Sequence, residues 1–124
     1  MEDRKKILVV EDEGMIRRAL CDKLEEEHFE AVPAVNGKEG LEKAISERPG
    51  MILLDVVMPE MDGITMSQKL EEHEETKNIP VMFLTNLSDS QEVRDRITKH
   101  DYEFLVKANW DISDVVKKIK EKIG

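Results

Sequence analysis

The chain has 124 residues, of which 40% are hydrophobic and 38% charged, and its formal net charge is −9. This length and balance predict one folded domain with its own core and exclude an intrinsically disordered chain. The strong negative charge disfavours direct binding of nucleic acid or of an anionic membrane surface, because both carry negative charge themselves.

Four short apolar runs predict strands, at residues 7–10, 51–54, 81–84 and 104–106. Each run is continuous rather than alternating, which is typical of parallel strands that helices cover on both faces. A weaker strand is expected at residues 30–34. It contains Pro33, which has no N–H for a sheet hydrogen bond, and this indicates an edge position.

Helical spacing fills the segments between these strands. Ile16, Leu20 and Leu24 repeat every four residues, and a longer apolar stripe marks the last helix, at Ile112, Val115, Val116, Ile119 and Ile123. Turn and capping signals stand at Asn36-Gly37, Pro49-Gly50, Asp62-Gly63 and Ser88 with Gln91. Five strands alternating with five helices predict an α/β fold, a three-layer (βα)5 sandwich around a parallel sheet. We adopt the flavodoxin-like strand order 2-1-3-4-5, known from other doubly wound folds, because it puts the Pro33 strand on an edge.

The chain has no features of a secreted or membrane protein. It contains one cysteine, Cys21, so an intrachain disulfide is excluded, and no apolar run approaches the length of a membrane span. The charged N-terminus leads into a short apolar run without the cleavage site of a signal peptide. We therefore predict a cytoplasmic protein.

Polar residues follow four of the predicted strands at the points where the strands end: Glu11-Asp12-Glu13, Asp55, Thr85 and Lys107. Sites in open parallel sheets form beyond the carboxyl ends of the strands, so we expect these side chains to meet at one edge. Each residue alone could be a helix cap or a solvated surface residue. Their joint position after four strands favours a site.

Such a cluster predicts a particular chemistry. Carboxylates held close together repel one another, and Mg²⁺ relieves this repulsion by binding one or two of them and keeping several water molecules. A carboxylate in such a pocket can act as a nucleophile towards a phosphoryl group and form an aspartyl phosphate. Thr85 could then hydrogen-bond the phosphoryl oxygens and couple the modification to loop movement.

The sequence resembles the receiver domain of two-component response regulators over essentially its whole length. The matching segments are ILVVEDE at 7–13, LLDVVMPEMDG at 53–63, FLT at 83–85 and FLVK at 104–107. The segment NGKEGL at 36–41 also fits the start of the family's second helix.

The resemblance implies a role for each site residue. Asp55 would be the phosphoacceptor. The Mg²⁺ site would consist of Glu11, Asp12, Asp55 and the backbone carbonyl of Val57. Lys107 would pair with the phosphoryl group, Thr85 would be the switch hydroxyl, and Phe104 would be the switch aromatic that moves inward with Thr85.

The resemblance also implies partners. A sensor histidine kinase or a phosphotransfer protein would donate the phosphoryl group. A readout face on the fourth helix, fifth strand and fifth helix, residues 88–123, would contact a downstream protein target or an output domain. We interpret residues 1–124 as a single receiver domain without an output domain. It would be no enzyme beyond catalysing its own phosphorylation and dephosphorylation, and it would be a monomer or a phosphorylation-dependent dimer.

The chain departs from the family pattern near Lys107 and Thr85. Ala108 replaces the proline that usually follows the lysine after a cis bond, and Asn86 replaces a small residue after the threonine. A cis bond to a residue other than proline costs about 2.5–4 kcal/mol. His100-Asp101 stands where the family usually has a small Gly-Ala pair.

Two other functions remain open at this point. An enzyme or electron carrier on the same fold, such as a flavodoxin, needs a hydroxyl- or glycine-rich phosphate loop after the first strand. Glu11-Asp12-Glu13-Gly14 would instead repel a cofactor phosphate. A degenerate receiver that acts as a constitutive binding module would lack the acceptor or the lysine. Both are present here, and only Ala108 and Asn86 favour it.

Overall fold

The computed structural model describes residues 4–56, 58, 61–85, 103–106 and 112–123. Its strands fall on the predicted runs: β1 Lys6–Val10, β2 Glu30–Ala34, β3 Met51–Asp55, β4 Val81–Thr85 and β5 Glu103–Val106. The helices are α1 Gly14–Glu26, α2 Gly37–Glu47, α3 Gly63–Glu71 and a C-terminal helix, Ile112–Ile123. The helix predicted to begin near Ser88 lies outside the described residues.

All five strands are parallel, in the order β2-β1-β3-β4-β5. This order confirms the predicted flavodoxin-like sheet. It also confirms the edge position of β2, where Pro33 lies beside Val9 of β1. A proline in this place removes no hydrogen bond from the interior of the sheet.

The core divides into two apolar layers, one on each face of the sheet, because successive strand residues point to opposite faces. In β1, Leu8 and Val10 join the layer under α2 and α3. Ile7 and Val9 join the opposite layer, under α1 and the C-terminal helix. Burial on both faces explains why these strands are continuously apolar in sequence.

The helices that flank the site begin at capping residues. The Asn36 side chain accepts a hydrogen bond from the N–H of Glu39 (2.8 Å), and the Asp62 side chain accepts one from the N–H of Thr65 (2.7 Å). Each bond satisfies a helix N–H that has no partner within the helix. The helix starts predicted at Asn36-Gly37 and Asp62-Gly63 are thereby confirmed.

Two further findings concern sequence predictions made from composition. Cys21 is partly buried against the layer under α1, and this burial raises the pKa of its thiol, as expected of a packing residue. Within the described residues, no helix has both the length and the apolar character that crossing a membrane requires.

Candidate functional site

The register of the sheet brings the ends of β1 and β3 together. Val10 lies opposite Leu54, so the next residue of each chain segment, Glu11 and Asp55, emerges at the same edge. Asp55 in turn lies opposite Leu84 of β4. The carboxyl ends of three neighbouring strands therefore meet there, as the sequence predicts.

Three carboxylates converge at this edge, and we call Glu11, Asp12 and Asp55 the acidic trio. One carboxylate oxygen from each residue lies within 4.8 Å of the other two. Glu11 is fully buried and Asp55 is 5% exposed, whereas Asp12 is exposed. The trio thus has two members in the protein interior and one facing solvent.

The trio has the donor chemistry of a divalent metal site. Carboxylates this close repel one another, and burial strengthens the repulsion because less water screens it. A hard cation bound to their oxygens would offset that cost. Mg²⁺ suits the arrangement, since it binds to one or two carboxylates and keeps water in its other positions. Asp12 is exposed, so solvent reaches the trio from its side.

Hydrogen bonds hold the turn between β1 and α1. The N–H of Glu11 donates to the carbonyl of Ala34 (3.1 Å), which extends the pairing of β1 with β2 by one residue. The Glu11 side chain accepts a bond from the N–H of Glu13 (3.2 Å), and its backbone carbonyl accepts one from Arg17 Nη1 (2.8 Å). Both the backbone and the carboxylate of Glu11 are therefore held in place.

A second set of backbone bonds holds the segment after β3. The N–H of Val56 donates to the carbonyl of Leu84 (3.1 Å), so the contact with β4 continues one residue past Asp55. The carbonyl of Val56 accepts a bond from the N–H of Gly63 (2.8 Å). The chain leaves the sheet after Asp55 and returns to it at the start of α3.

The remaining predicted site residues are only partly described. Thr85 ends β4 opposite Val106, and Phe104 of β5 lies opposite Phe83. These backbone positions agree with the sequence, but the side chains of Thr85 and Phe104 lie outside what the structure describes. Val57 and Lys107 also lie outside it, as do Asn86, His100, Asp101 and Ala108, so the predictions made for them stay predictions.

Two residues of the site were missed in the sequence. Arg17 was not singled out, although it is a cation one turn inside the helix that follows the acidic run. Gly63 is interpreted there as a turn signal and as the last residue of a family segment, but not as a residue in contact with Asp55. The sequence carries a signal for both residues: a basic residue on the first turn after the acidic loop, and a glycine at the first position of α3.

Comparison with known proteins gives one family and a consistent set of structures. A sequence model described as "Response regulator receiver domain" matches residues 7–120. The transcriptional regulatory protein SrrA of Staphylococcus aureus is 48% identical over 79 residues, which are 64% of this chain and 32% of SrrA. The match therefore spans about a third of the length of these curated relatives.

Two solved structures illustrate the likeness of the fold. The chemotaxis protein CheY4 of Vibrio cholerae has a TM-score of 0.84 at 26% identity, over 96% of this chain and 98% of CheY4. The signal receiver domain of a signal transduction histidine kinase from Syntrophus aciditrophicus has a TM-score of 0.84 at 30% identity, over 94% of this chain and 88% of that one.

Proposed function

We propose that Asp55 accepts a phosphoryl group in a Mg²⁺-dependent reaction, because the chain belongs to the response regulator receiver domain family of two-component signalling. The observation that carries this proposal is the acidic trio at the carboxyl end of the sheet. It combines a nearly buried carboxylate at the end of the central strand with two neighbours suited to hold a cation.

The transfer is a displacement at phosphorus. A carboxylate oxygen of Asp55 forms the new P–O bond while the bond from phosphorus to an imidazole nitrogen of the donor breaks. The imidazole leaves with that electron pair and takes up a proton. Bound Mg²⁺ supplies positive charge that offsets both the carboxylates and the phosphoryl oxygens.

The chain's own residues position the reaction. Glu11 and Asp12 would hold the ion on the side of β1, and Asp55 with the backbone carbonyl of Val57 would complete the protein ligands. Lys107 would pair with the phosphoryl group and Thr85 would hydrogen-bond it. These assignments are supported by the family and by the strand ends from which the residues come.

The proposed partners follow from the family. A sensor histidine kinase or a phosphotransfer protein donates the phosphoryl group, and the face over residues 88–123, with Phe104 as its switch aromatic, passes the signal on. SrrA is a transcriptional regulatory protein, which supports a transcriptional output domain as one recipient. The domain would act in the cytoplasm, as a monomer or as a phosphorylation-dependent dimer, and would catalyse only its own modification.

Intact mass spectrometry tests the proposal directly. The protein is incubated with a small acyl phosphate, with and without Mg²⁺, alongside Asp55→Asn and the matched control Asp22→Asn on the exposed face of α1. We expect a Mg²⁺-dependent gain of one phosphoryl group in the wild type and in Asp22→Asn, and none in Asp55→Asn. No gain in the wild type would refute the proposal and favour a constitutive binding module.

A further inference from the structure

We propose that Arg17 is a positioning residue for the metal site, acting on the trio through the main chain of Glu11. The inference rests on the proposed function, since it concerns how the trio binds Mg²⁺. Arg17 lies at the end of the first turn of α1 and reaches back over the turn that joins β1 to α1. Its Nη1 donates to the backbone carbonyl of Glu11 at 2.8 Å, in a partly buried position.

The path of the Arg17 side chain crosses the first residue of α1. A Cβ placed on Gly14 would lie 3.6 Å from Nη2 of Arg17, an ordinary contact distance. The guanidinium therefore lies against the beginning of the helix. From there it links the helix to the acidic loop, and the N–H of Arg17 donates to the carbonyl of Glu13 (2.9 Å) within the same turn.

The bonded carbonyl matters because of the peptide plane to which it belongs. The carbonyl of Glu11 lies in the planar peptide unit that joins Glu11 to Asp12. Fixing the direction of this carbonyl fixes the orientation of the peptide plane that joins two of the three residues of the trio. The N–H of Glu11 already donates to the carbonyl of Ala34. With the Arg17 bond, the peptide units on both sides of Glu11 are hydrogen-bonded.

A simple charge argument predicts an effect of losing Arg17 on Mg²⁺ affinity that is opposite to the effect of losing a positioning residue. A binding measurement therefore distinguishes the two. A positive side chain near a cation site opposes the cation, so losing it should tighten Mg²⁺ binding. A residue that orients metal ligands should weaken binding when lost, because the ligands are then no longer held in the binding geometry. The Arg17 contact is made with a main-chain oxygen, which favours the second effect.

The test compares Arg17→Met with Arg18→Met, its exposed neighbour on the same helix. Both variants lose the same charge, and methionine forms helix about as well as arginine. The unfolding temperature is measured at increasing Mg²⁺ concentrations, and its rise with concentration gives an apparent Kd for Mg²⁺. We expect Kd to rise about tenfold in Arg17→Met, as for other residues that orient metal ligands. We expect it to be unchanged or slightly lower in Arg18→Met.

Two further measurements distinguish a positioning role of Arg17 from a general contribution to folding stability. Arg17→Lys keeps a donor and should recover most of the affinity. In the phosphorylation assay, Arg17→Met should need more Mg²⁺ for half-maximal rate and should approach the wild-type rate at saturating Mg²⁺.

Four outcomes would overturn the inference. An unchanged Kd in Arg17→Met would show that Arg17 does not affect metal binding. A lower Kd would show that removing its positive charge outweighs any loss of ligand positioning. A lower unfolding temperature without Mg²⁺, together with an unchanged Kd, would show a purely structural role. A wild type whose unfolding temperature does not respond to Mg²⁺ would instead refute metal binding by the trio, and with it the proposed function and this inference together.

Discussion

Gly63 lies directly against the backbone carbonyl oxygen of Asp55: a Cβ placed on Gly63 would be 2.3 Å from that oxygen and 3.1 Å from the carbonyl carbon. No heavy atom of a side chain fits at such a distance. The first residue of α3 must therefore be glycine for the helix to begin against the end of β3. This contact ties the position of α3 to the proposed phosphoacceptor.

The first prediction concerns this contact. Gly63→Ala should lower the free energy of unfolding by about 1–3 kcal/mol, because the new methyl group must displace either β3 or the start of α3. Gly14→Ala is the matched control, since Gly14 also begins a helix but a Cβ there meets only Arg17 Nη2 at 3.6 Å. The control should stay within about 0.5 kcal/mol of the wild type. Urea unfolding measures both, and equal effects would contradict the steric argument.

The second prediction concerns His28, which has a left-handed backbone with φ of 70°. It follows the end of α1, where the N–H of Phe29 donates to the carbonyl of Leu24 (2.9 Å) in the pattern that usually selects glycine. His28→Gly should raise the free energy of unfolding by about 0.5–1 kcal/mol, because glycine adopts this φ without steric cost.

The control for His28 is Asp22→Gly, an exposed position in the interior of α1. It should lower the free energy of unfolding, since glycine is unfavourable inside a helix. Thermal or urea unfolding of both variants decides the matter. A destabilised His28→Gly would mean that the histidine side chain contributes more than its backbone strain costs.

The third prediction concerns pH and the ion pair between Glu27 and Lys120. Lys120 donates a hydrogen bond to the Glu27 carboxylate and links α1 to the C-terminal helix. That hydrogen bond, together with the charge of Lys120, lowers the pKa of Glu27 below its usual value of 4.5. Because the folded-state pKa is the lower one, the stabilisation is present above about pH 4.5 and is lost as the pH falls through the lowered pKa.

Glu27→Gln should therefore be less stable than the wild type at neutral pH, and the difference should shrink as the solution is acidified below pH 4.5. Added salt should also reduce it, because both side chains are partly exposed. Glu26→Gln, on the exposed side of the same helix, is the control. Urea unfolding over a pH series measures the effect, and a difference that grows in acid would have the wrong sign.

The fourth prediction concerns the free edge of β2. Side chains occupy its outward polar groups: Glu25 accepts from the N–H of Ala31 (2.8 Å), and Lys43 donates to the carbonyl of Pro33 (2.5 Å). Pro33 itself has no N–H to offer. These contacts block the edge against pairing with a strand of a second molecule, which is the usual hazard of an edge strand.

The double variant Glu25→Ala/Lys43→Ala should therefore self-associate more than the wild type as protein concentration rises. The matched control is Glu26→Ala/Lys38→Ala, which removes the same two charges from exposed neighbouring positions. Sedimentation velocity measures both. Equal behaviour of the two variants, whether both associate or neither does, would contradict the proposed role of the blocked edge.

Much of the fold was predictable from local patterns. A strand covered on both faces must be apolar at every position, so β1, β3 and β4 are visible as continuous runs. Pro33 identified the edge strand because a missing N–H is tolerated only there. The helix starts at Asn36 and Asp62 were predictable because capping depends on residues three apart in sequence.

The acidic trio was also predictable, since the carboxyl ends of parallel strands meet at one edge whatever the details of packing. Thus the sequence alone determined the strands, the edge position of β2 and the residues that gather at the carboxyl end of the sheet, whereas the full strand order was adopted from other doubly wound folds. Only the tertiary structure decided that Glu11 is buried while Asp12 faces solvent, because burial depends on how α1 packs over the loop. The same holds for Arg17 on Glu11 and for Gly63 against Asp55. These contacts depend on ångström-scale distances between an element's end and the next element's start, and no sequence periodicity encodes such distances.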